Sequence, residues 1–258
     1  MGSASREALA VARASLGDNL AAQTGVELLA AATQIDSAPS LLAALADSLS
    51  TPEAKAQLIE RLFSATSADA RSILSAAVAQ AWSTPAELVD GIEELGLRAE
   101  AVSEPGLADQ LLAAANTIDS NHELELGLGS KLGDVSAKVA LIERLFGGKL
   151  SAGAVAIVRH LVVSPRGRRI SVALRQSATV AADQGGTSLA TVTVAQALSS
   201  EQAGRISRLL EQSAGRPVRV TTVVDPSLVG GVRIQIGDDV IDGSVRSRLD
   251  DLRLQLAG

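Results

Sequence analysis

The sequence predicts an α+β protein in which a duplicated all-α helical bundle is followed by a small α/β domain. Three observations indicate this fold class: an internal repeat with helical spacing of its leucines, a change to alternating β-branched residues near residue 189, and a composition that is 47% hydrophobic but only 1% aromatic. Ala, Leu, Val and Ile therefore supply the apolar surface, and that composition favours closely packed helices. A chain of 258 residues can form one large domain or two to three smaller ones.

The internal repeat relates residues 35–63 to residues 118–146 at a constant offset of 83. Of the 29 aligned positions, 14 are identical, including the hexapeptide Leu-Ile-Glu-Arg-Leu-Phe that ends both copies. In each copy the leucines recur at helical spacing, which predicts helix faces that pack on a core and therefore a helical hairpin or small bundle. The first copy carries Leu41, Leu45, Leu49, Leu58, Leu62 and Phe63, and the second carries Leu124, Leu128, Leu132, Leu141, Leu145 and Phe146.

Capping residues mark helix ends inside the repeat. Thr51 followed by Pro52 predicts an N-cap with proline at the first helical position, and Gly147 and Gly148 predict the end of the matching helix in the second copy. Residues 1–183 are therefore predicted to form one helical region. Gly-rich residues 184–188 are predicted to be a linker.

The carboxyl-terminal domain is predicted to span residues 189–258 in the order β, α, β, β, β, α. Alternation with a period of two predicts strands at 189–195, 218–224 and 232–236, and a return strand starting at 240–241 after a turn.

Two helices are predicted in this domain. Ser199 and Gln202 form a capping-box pattern, which opens a helix that ends near residue 213 and places Ile206, Leu209 and Leu210 on one side. A final amphipathic helix is predicted from apolar residues spaced 4, 3 and 4 apart, and two of them, Leu249 and Leu252, are expected to pack on the sheet. The full stripe is Val245, Leu249, Leu252 and Leu256.

Charge is distributed unevenly along the chain. Residues 1–125 hold 6 basic and 18 acidic side chains, a balance of −12, whereas residues 126–258 hold 17 and 11, a balance of +6. The resulting net charge of −6 argues against a nucleic-acid binder, and the uneven division predicts two surfaces for two partners. Because no apolar run is long enough to span a bilayer and residues 1–16 lack a signal-peptide pattern, we expect a cytoplasmic protein without direct membrane insertion.

Residues for catalytic chemistry are scarce. The chain has no Cys and two His, His122 and His160, and neither His has a partner in the sequence pattern that would complete a metal site. No common catalytic motif is present, so no catalytic group, cofactor or metal is expected. Residues 127–131 lack the spacing of a phosphate loop, and the turn with Asp238, Asp239 and Asp242 lacks that of a calcium loop, so a helix connection and a hairpin turn are favoured.

Five arginines gather between residues 159 and 175 without an acid nearby in the sequence. They are Arg159, Arg166, Arg168, Arg169 and Arg175. Phosphate binding is one interpretation. The lack of aromatic residues for base stacking favours instead an interaction face for an acidic protein, or a solvated loop.

Residues 218–237 and 239–249 resemble the signature of the delta subunit of F-type ATP synthases, the oligomycin-sensitivity-conferring protein of mitochondria. The residues that carry this resemblance are Asp225, Leu228, Gly230, Gly231, Val232, Ile234, Gly237, Asp242, Gly243 and Ser244. Two of them, Gly230 and Gly231, also fit the start of a strand through backbone angles closed to other residues. Residues 6–10 are similar to the family's first helix, and removing one repeat leaves 258 − 83 = 175 residues, about the family's ordinary length. Long members of this kind resemble those of actinobacteria.

The resemblance implies a non-catalytic stator subunit of the peripheral stalk, on the cytoplasmic face of the cell membrane. It implies that the helical bundle binds amino-terminal helices of the alpha subunits and that the carboxyl-terminal domain binds the b subunits. On the predicted final helix, Arg246, Arg248 and Arg253 are expected to face outward and to offer charged contacts to a b subunit. Two alternatives remain open from the residues: a free helical-repeat adaptor, and a small enzyme that uses Asp225, Asp238 or Asp242.

Overall fold

The structure, a computed structural model, describes residues 1–130, 132–225, 228, 230–236 and 239–243. The chain divides into two compact units, Met1–Gln184 and Gly185–Gly258. The described part of the first unit is helical, and that of the second is a mixed sheet with a helix. The predicted α+β class is confirmed.

The helices of the first unit repeat at the offset found in the sequence. Helices α7, α8 and α9 each begin 83 residues after α2, α3 and α4. The first six helices are α1 (Ser3–Arg13), α2 (Thr24–Asp36), α3 (Pro39–Ala46), α4 (Pro52–Leu62), α5 (Ala68–Val78) and α6 (Pro85–Ser103). The next five are α7 (Leu107–Asp119), α8 (His122–Gly129), α9 (Val135–Phe146), α10 (Ala152–Val163) and α11 (Ile170–Gln184).

Helix α6 has a place in both copies. In the first copy, α6 is the last helix: it follows α5 and packs on α2, just as α11 follows α10 and packs on α7. In the second copy, α6 is the first helix: it precedes α7, just as α1 precedes α2. Its 19 residues are buried on several sides, and the buried set includes the charged residues Glu93, Arg98 and Glu100. We therefore define the first copy as α1–α6 and the second copy as α6–α11, with α6 shared.

Side-chain caps start most of these helices. As predicted, Thr51 caps α4 by accepting a hydrogen bond from the backbone N–H of Ala54, and Pro52 occupies the first helical position. Ser67 and Ser151 cap α5 and α10 in the same way. These caps satisfy N–H groups that have no partner inside the helix, so local sequence fixes where each helix begins.

The repeated leucines are only partly buried. Leu45 and Leu128 are fully buried, as predicted, but Leu49 and Leu132 are 91% and 98% exposed. The prediction for these two is wrong because α3 and α8 end before them, and the turns that follow direct both side chains outward. The backbone N–H of Leu49 donates to Asp47 Oδ1 at 3.0 Å, and that of Leu132 donates to Ser130 Oγ at 3.2 Å.

The end of the repeat shows the same division between core and surface. Ile59, Phe63 and their counterparts Ile142 and Phe146 are buried. Leu62, the last residue of α4, is exposed, so its predicted place in the core-facing stripe is also wrong.

The second unit contains a four-stranded sheet in the order β2-β1-β3-β4, with β1 and β2 parallel and the other pairs antiparallel. Its elements are β1 (Ser188–Val194), α12 (Ser200–Ala214), β2 (Val218–Val224), β3 (Val232–Ile236) and β4 (Asp239–Asp242). The central strand β1 is the most buried, and Ala190, Val192 and Val194 form a core with Leu210 of α12.

Helix α12 begins with the predicted capping box between Ser199 and Gln202. Ile206 and Leu210 pack on the sheet, but Leu209 is 59% exposed, so its predicted position on that side is wrong. One residue shifts a helical side chain by 100°, which is enough to move Leu209 out of the buried stripe. The predicted final helix with Val245, Leu249, Leu252 and Leu256 lies outside the described residues, as does Asp238.

Within the described ranges, no single helix is long and apolar enough to cross a membrane. Helices α2 and α3 together have the length and apolar composition of a membrane span, but the chain bends by 105° at their junction. Leu28, Ile35 and Leu45 from these two helices are fully buried in the apolar core of the first unit.

Candidate functional site

The signature segment begins where β2 ends. The backbone N–H of Asp225 donates to the carbonyl of Val194 at 2.8 Å, which continues the pairing of β2 with β1 by one residue. The N–H of Leu228 then donates to the carbonyl of Asp225 at 3.1 Å and closes a turn. Asp225 and Leu228 therefore shape the exit from the strand.

Two glycines place the next strand. Gly230 and Gly231 have φ angles of 144° and 84°, in the region that favours glycine over every other residue. Strand β3 starts directly after them, and its Val232 and Ile234 lie opposite Val194 and Val192 of β1. Both side chains pack against the core of the sheet, so the glycines set the register that buries them.

The segment closes on β4. Asp242 lies opposite Arg233, and the N–H of Gly243 donates to the carbonyl of Val232 at 2.9 Å. A Cβ atom on Gly243 would lie 3.2 Å from that carbonyl, so a larger residue would crowd the hydrogen bond. The remaining predicted site residues, Gly237, Ser244, Arg246, Arg248 and Arg253, lie outside the described residues.

Apolar side chains are exposed around this sheet. Val240 and Ile241 on the edge strand β4, Val224 at the end of β2 and Leu209 on α12 all have large exposed fractions. On an edge strand and a helix, such side chains are candidate contacts for another protein.

The arginine cluster of residues 159–175 is neutralised by acids from distant parts of the chain. Arg166 contacts Asp90 at 2.7 Å and Glu93 at 2.8 Å, and Arg168 contacts Glu93 at 2.7 Å. Arg166 and Arg168 therefore belong to an ion-pair network within the chain, and for these two the prediction of an acid-free basic face or solvated loop is wrong, whereas Arg159 and Arg169 are exposed. The other pairs are Arg159 with Glu143 and both Arg169 and Arg175 with Asp119.

Glu93 is the centre of this network. The carboxylate is 5% exposed and accepts hydrogen bonds from Arg166, Arg168 and the Nε2 atom of His160, the last at 2.9 Å. Burial by itself would raise the pKa of Glu93, but the hydrogen bonds from His160 and Arg168 and the charges of both arginines outweigh burial and lower the pKa to about 2. Glu93 is therefore ionised at neutral pH, and His160 is a partner of a carboxylate rather than an isolated residue.

Glu100 lies two turns further along α6 and behaves in the opposite way. It is 3% exposed, and its Oε1 atom accepts a hydrogen bond from the backbone N–H of Val26 at 3.0 Å. Burial raises the pKa of Glu100, the Val26 hydrogen bond lowers it, and the nearby charge of Glu104 adds to the increase. Neither carboxylate was among the site residues predicted from the sequence, although a spacing of seven residues places both on one helix face among apolar residues.

The described part of the chain holds no group of three or more His, Asp or Glu side chains arranged to bind a metal ion. Asp225 and Asp242, two of the residues considered for an enzyme, lie at strand ends within the backbone pairing described above.

The fold defines the class of protein: an α+β chain in which a helical bundle precedes a small mixed sheet. Comparison with known proteins agrees with this class. Residues 99–256 match the model of the family described as ATP synthase delta (OSCP) subunit. The chain belongs to the ATP synthase delta (OSCP) subunit family.

Full-length relatives support the same family. The protein called ATP synthase subunit delta from Leifsonia xyli subsp. xyli is 46% identical over 264 aligned positions that cover 100% of both chains. The proteins of that name from Streptomyces avermitilis and Streptomyces coelicolor are 35% and 36% identical, over 98% and 100% of this chain and 98% of each relative. The resemblance to long actinobacterial delta subunits is thereby confirmed.

The family match starts inside α6. It includes the second copy and the second unit, whereas residues 1–98, which contain α1–α5, lie before it. The match therefore covers the end of α6, helices α7–α11 and most of the second unit.

Proposed function

We propose that this chain is a peripheral-stalk subunit of an F-type proton-translocating ATP synthase, which links the catalytic head to the membrane-anchored b stalk and resists rotor torque. Membership of the delta subunit family is the observation that carries the proposal. In this role the chain catalyses nothing itself and needs no cofactor. It acts at the cytoplasmic face of the cell membrane, as a peripheral component of the complex.

The two units divide the binding between them. The helical unit binds amino-terminal helices of the alpha subunits, and the second unit binds the ends of the b subunits. In support, each unit has its own apolar core and also exposes large apolar side chains. The exposed residues include Leu49, Leu126, Leu132 and Val135 in the first unit and Leu209, Val240 and Ile241 in the second.

Charged contacts add to the second interface. Arg246, Arg248 and Arg253 belong to the segment that follows the signature, and we propose that they contact acidic side chains of a b subunit. Replacing one of them with Ala should weaken assembly by an amount that falls with added salt, because exposed charge pairs are screened.

Co-purification from membranes tests the division of labour. The tagged full chain is expected to recover alpha and b subunits together. A chain that lacks residues 184–258 is expected to recover alpha but not b, because the deletion removes the whole second unit and leaves the core of the first unit intact.

The alternatives give different results in the same experiment. A free helical-repeat adaptor would recover neither alpha nor b from membranes, and an enzyme would show turnover as the isolated chain. Recovery of b by the truncated chain would contradict the assignment of b binding to the second unit, while the role in the stalk would remain.

A further inference from the structure

Three helices meet at the joint between the two copies. Helix α2 belongs to the first copy, α10 belongs to the second, and α6 is shared. Two buried polar layers cross this joint: the first contains Glu93, Thr33 and His160, and the second contains Glu100, Val26 and Gly153. On each helix the two positions are seven residues apart, so the layers are separated by about two turns, or roughly 10.5 Å.

The first layer connects side chains from all three helices. His160 of α10 contacts Glu93 of α6 through Nε2 at 2.9 Å and Thr33 of α2 through Nδ1 at 3.1 Å. Because the ionised Glu93 carboxylate can only accept hydrogen bonds, Nε2 of His160 carries a proton. His160 and Glu93 are 8% and 5% exposed. A polar chain therefore runs from the first copy, through the second, to the shared helix.

The second layer uses backbone groups. Glu100 of α6 accepts from the N–H of Val26 in the first turn of α2, and it also lies against Gly153 in the first turn of α10. A Cβ atom on Gly153 would overlap the Glu100 carboxylate, and one on Gly25 would lie 2.7 Å from the carbonyl oxygen of Gly96. The helices can approach this closely because glycine occupies the contact positions.

Both layers are satisfied in one register of the helices. A slip of α10 by one turn, about 5.4 Å, would take His160 away from Glu93, and the same slip of α2 would take the N–H of Val26 away from Glu100. Losing a hydrogen-bond partner of a buried carboxylate is costly in a low-dielectric interior. Apolar contacts alone do not exclude such a slip, because they are non-directional. Buried polar residues are known to fix helix register in coiled coils at some expense of stability.

We infer that the two polar layers fix the register of α2 and α10 against α6 and hold the two copies together as a single rigid body. Under this inference Glu93, His160 and Glu100 are positioning residues for the whole helical unit. The inference goes beyond the proposed link function and stands without it. In a subunit that resists torque, a joint with a fixed helix register prevents the duplicated bundle from bending at its middle.

Distance measurements on the isolated full chain test the inference. The native chain has no Cys, so the double variant Gln57→Cys, Ala140→Cys carries two label sites, one on α4 and one on α9, at equivalent exposed positions. Pulsed electron spin resonance of this labelled pair is expected to give one narrow distance distribution. Glu93→Gln and, separately, Glu100→Met, which removes the acceptor for the Val26 N–H, are expected to broaden it or to add a second maximum about 5 Å away, one helical turn.

Glu94→Gln is the matched control. Glu94 lies on the same helix but pairs with Arg98 of α6 itself at 2.8 Å, outside the two layers. Arg98 also pairs with Asp183 of α11 at 3.0 Å, and the substitution leaves both members of that pair in place. Its distribution is expected to match that of the native chain.

Three results would overturn the inference. They are an unchanged distribution for both Glu93→Gln and Glu100→Met in folded protein, an equal broadening for Glu94→Gln, and a broadening accompanied by loss of helical circular dichroism in both layer variants. If Glu93→Gln alone fails to fold, Glu100→Met decides, since Met is unbranched like Glu and only the acceptor is lost. The assay contains no alpha or b subunit, so its failure is distinguishable from failure of the proposed function.

Discussion

The two copies of the bundle hold the serine at the start of their fifth helix with different polar residues. In the first copy Glu27 of α2 accepts hydrogen bonds from the N–H and hydroxyl of Ser67 at the start of α5, at 2.9 and 2.5 Å. In the second copy the equivalent residue is Gln110, which accepts from the N–H of Ser151 at the start of α10 at 2.7 Å. The contact is kept, but its charge is not.

A second pair differs more strongly. Leu42 of α3 packs against the apolar core of the first copy, whereas its counterpart Glu125 of α8 is 5% exposed and accepts from the N–H groups of Ile170 and Ser171 at 2.7 and 3.2 Å. Glu125 thus satisfies the start of α11, while α6 begins with its own cap, Thr84. The shared apolar positions therefore fix the helices, and polar contacts can be exchanged around them.

Shortening the equivalent buried side chain in each copy should destabilise both copies to a similar extent. Ile59 and Ile142 are equivalent and fully buried. Replacing either with Ala removes buried apolar atoms and leaves a cavity, so each change should lower the free energy of unfolding by about 2 to 5 kcal/mol. Urea titration followed by circular dichroism measures the loss. A loss below about 1 kcal/mol for one variant alone would contradict equal packing of the two copies.

Acid should weaken the joint at Glu93, a site with no counterpart on α11. At the repeat offset of 83 residues, the matching residue of α11 is Gln176, which is uncharged. The pKa of Glu93 is lowered from 4.5 to about 2 in the folded protein, so its contribution to stability is present above about pH 5 and is lost as the pH falls towards 2. That contribution is about 3 kcal/mol, at 1.36 kcal/mol per pKa unit.

Urea titrations at neutral and acidic pH measure this loss. Glu93→Gln should be less stable at neutral pH and should show a smaller further loss on acidification. Glu94→Gln serves as the control and should keep the acid dependence of the native chain. An unchanged acid dependence in Glu93→Gln would assign the effect to other carboxylates.

Local signals predicted most of the fold. β2 has the predicted bounds, and the caps at Thr51 and Ser199 are where the sequence placed them, because strands and caps depend on neighbouring residues. The exposure of Leu49 depends on a turn that follows the last residue of α3, and periodicity does not show where a stripe stops. The Glu93 network was missed since its partners are 67 to 75 residues away, and one sequence does not reveal which distant charges meet.

Exchanging the acceptor residues Glu27 and Gln110 at the start of the fifth helix tests whether the two contacts are equivalent. Glu27→Gln keeps an acceptor for Ser67 but removes a negative charge from the helix amino terminus, so it should cost about 0.5 to 1 kcal/mol. Gln110→Glu should cost about 1 kcal/mol, because Gln110 donates to Glu104 at 2.8 Å and a carboxylate there would repel it. Thermal unfolding measures both. Stabilisation by Gln110→Glu would show that the two contacts are interchangeable.

The smallest expected change in stability belongs to the two exposed leucines, and it makes them the best probes of function. Leu49 and Leu132 are equivalent and almost fully exposed, so Leu49→Asp and Leu132→Asp should each change the free energy of unfolding by less than about 0.5 kcal/mol. Under the proposed function, a leucine that contacts an alpha subunit contributes about 1.5 to 3 kcal/mol by burial. Its replacement should therefore weaken binding at least about tenfold.

The family match begins at residue 99 and includes the second copy, so we expect Leu132→Asp to reduce recovery of alpha subunits and Leu49→Asp to leave it unchanged. Co-purification of both variants at equal expression measures the difference, with recovery of b subunits as the internal control. Loss of alpha with Leu49→Asp alone would move the head contact to the first copy. Equal loss with both would mean that the two copies bind the head together, and that the duplication kept the surface as well as the fold.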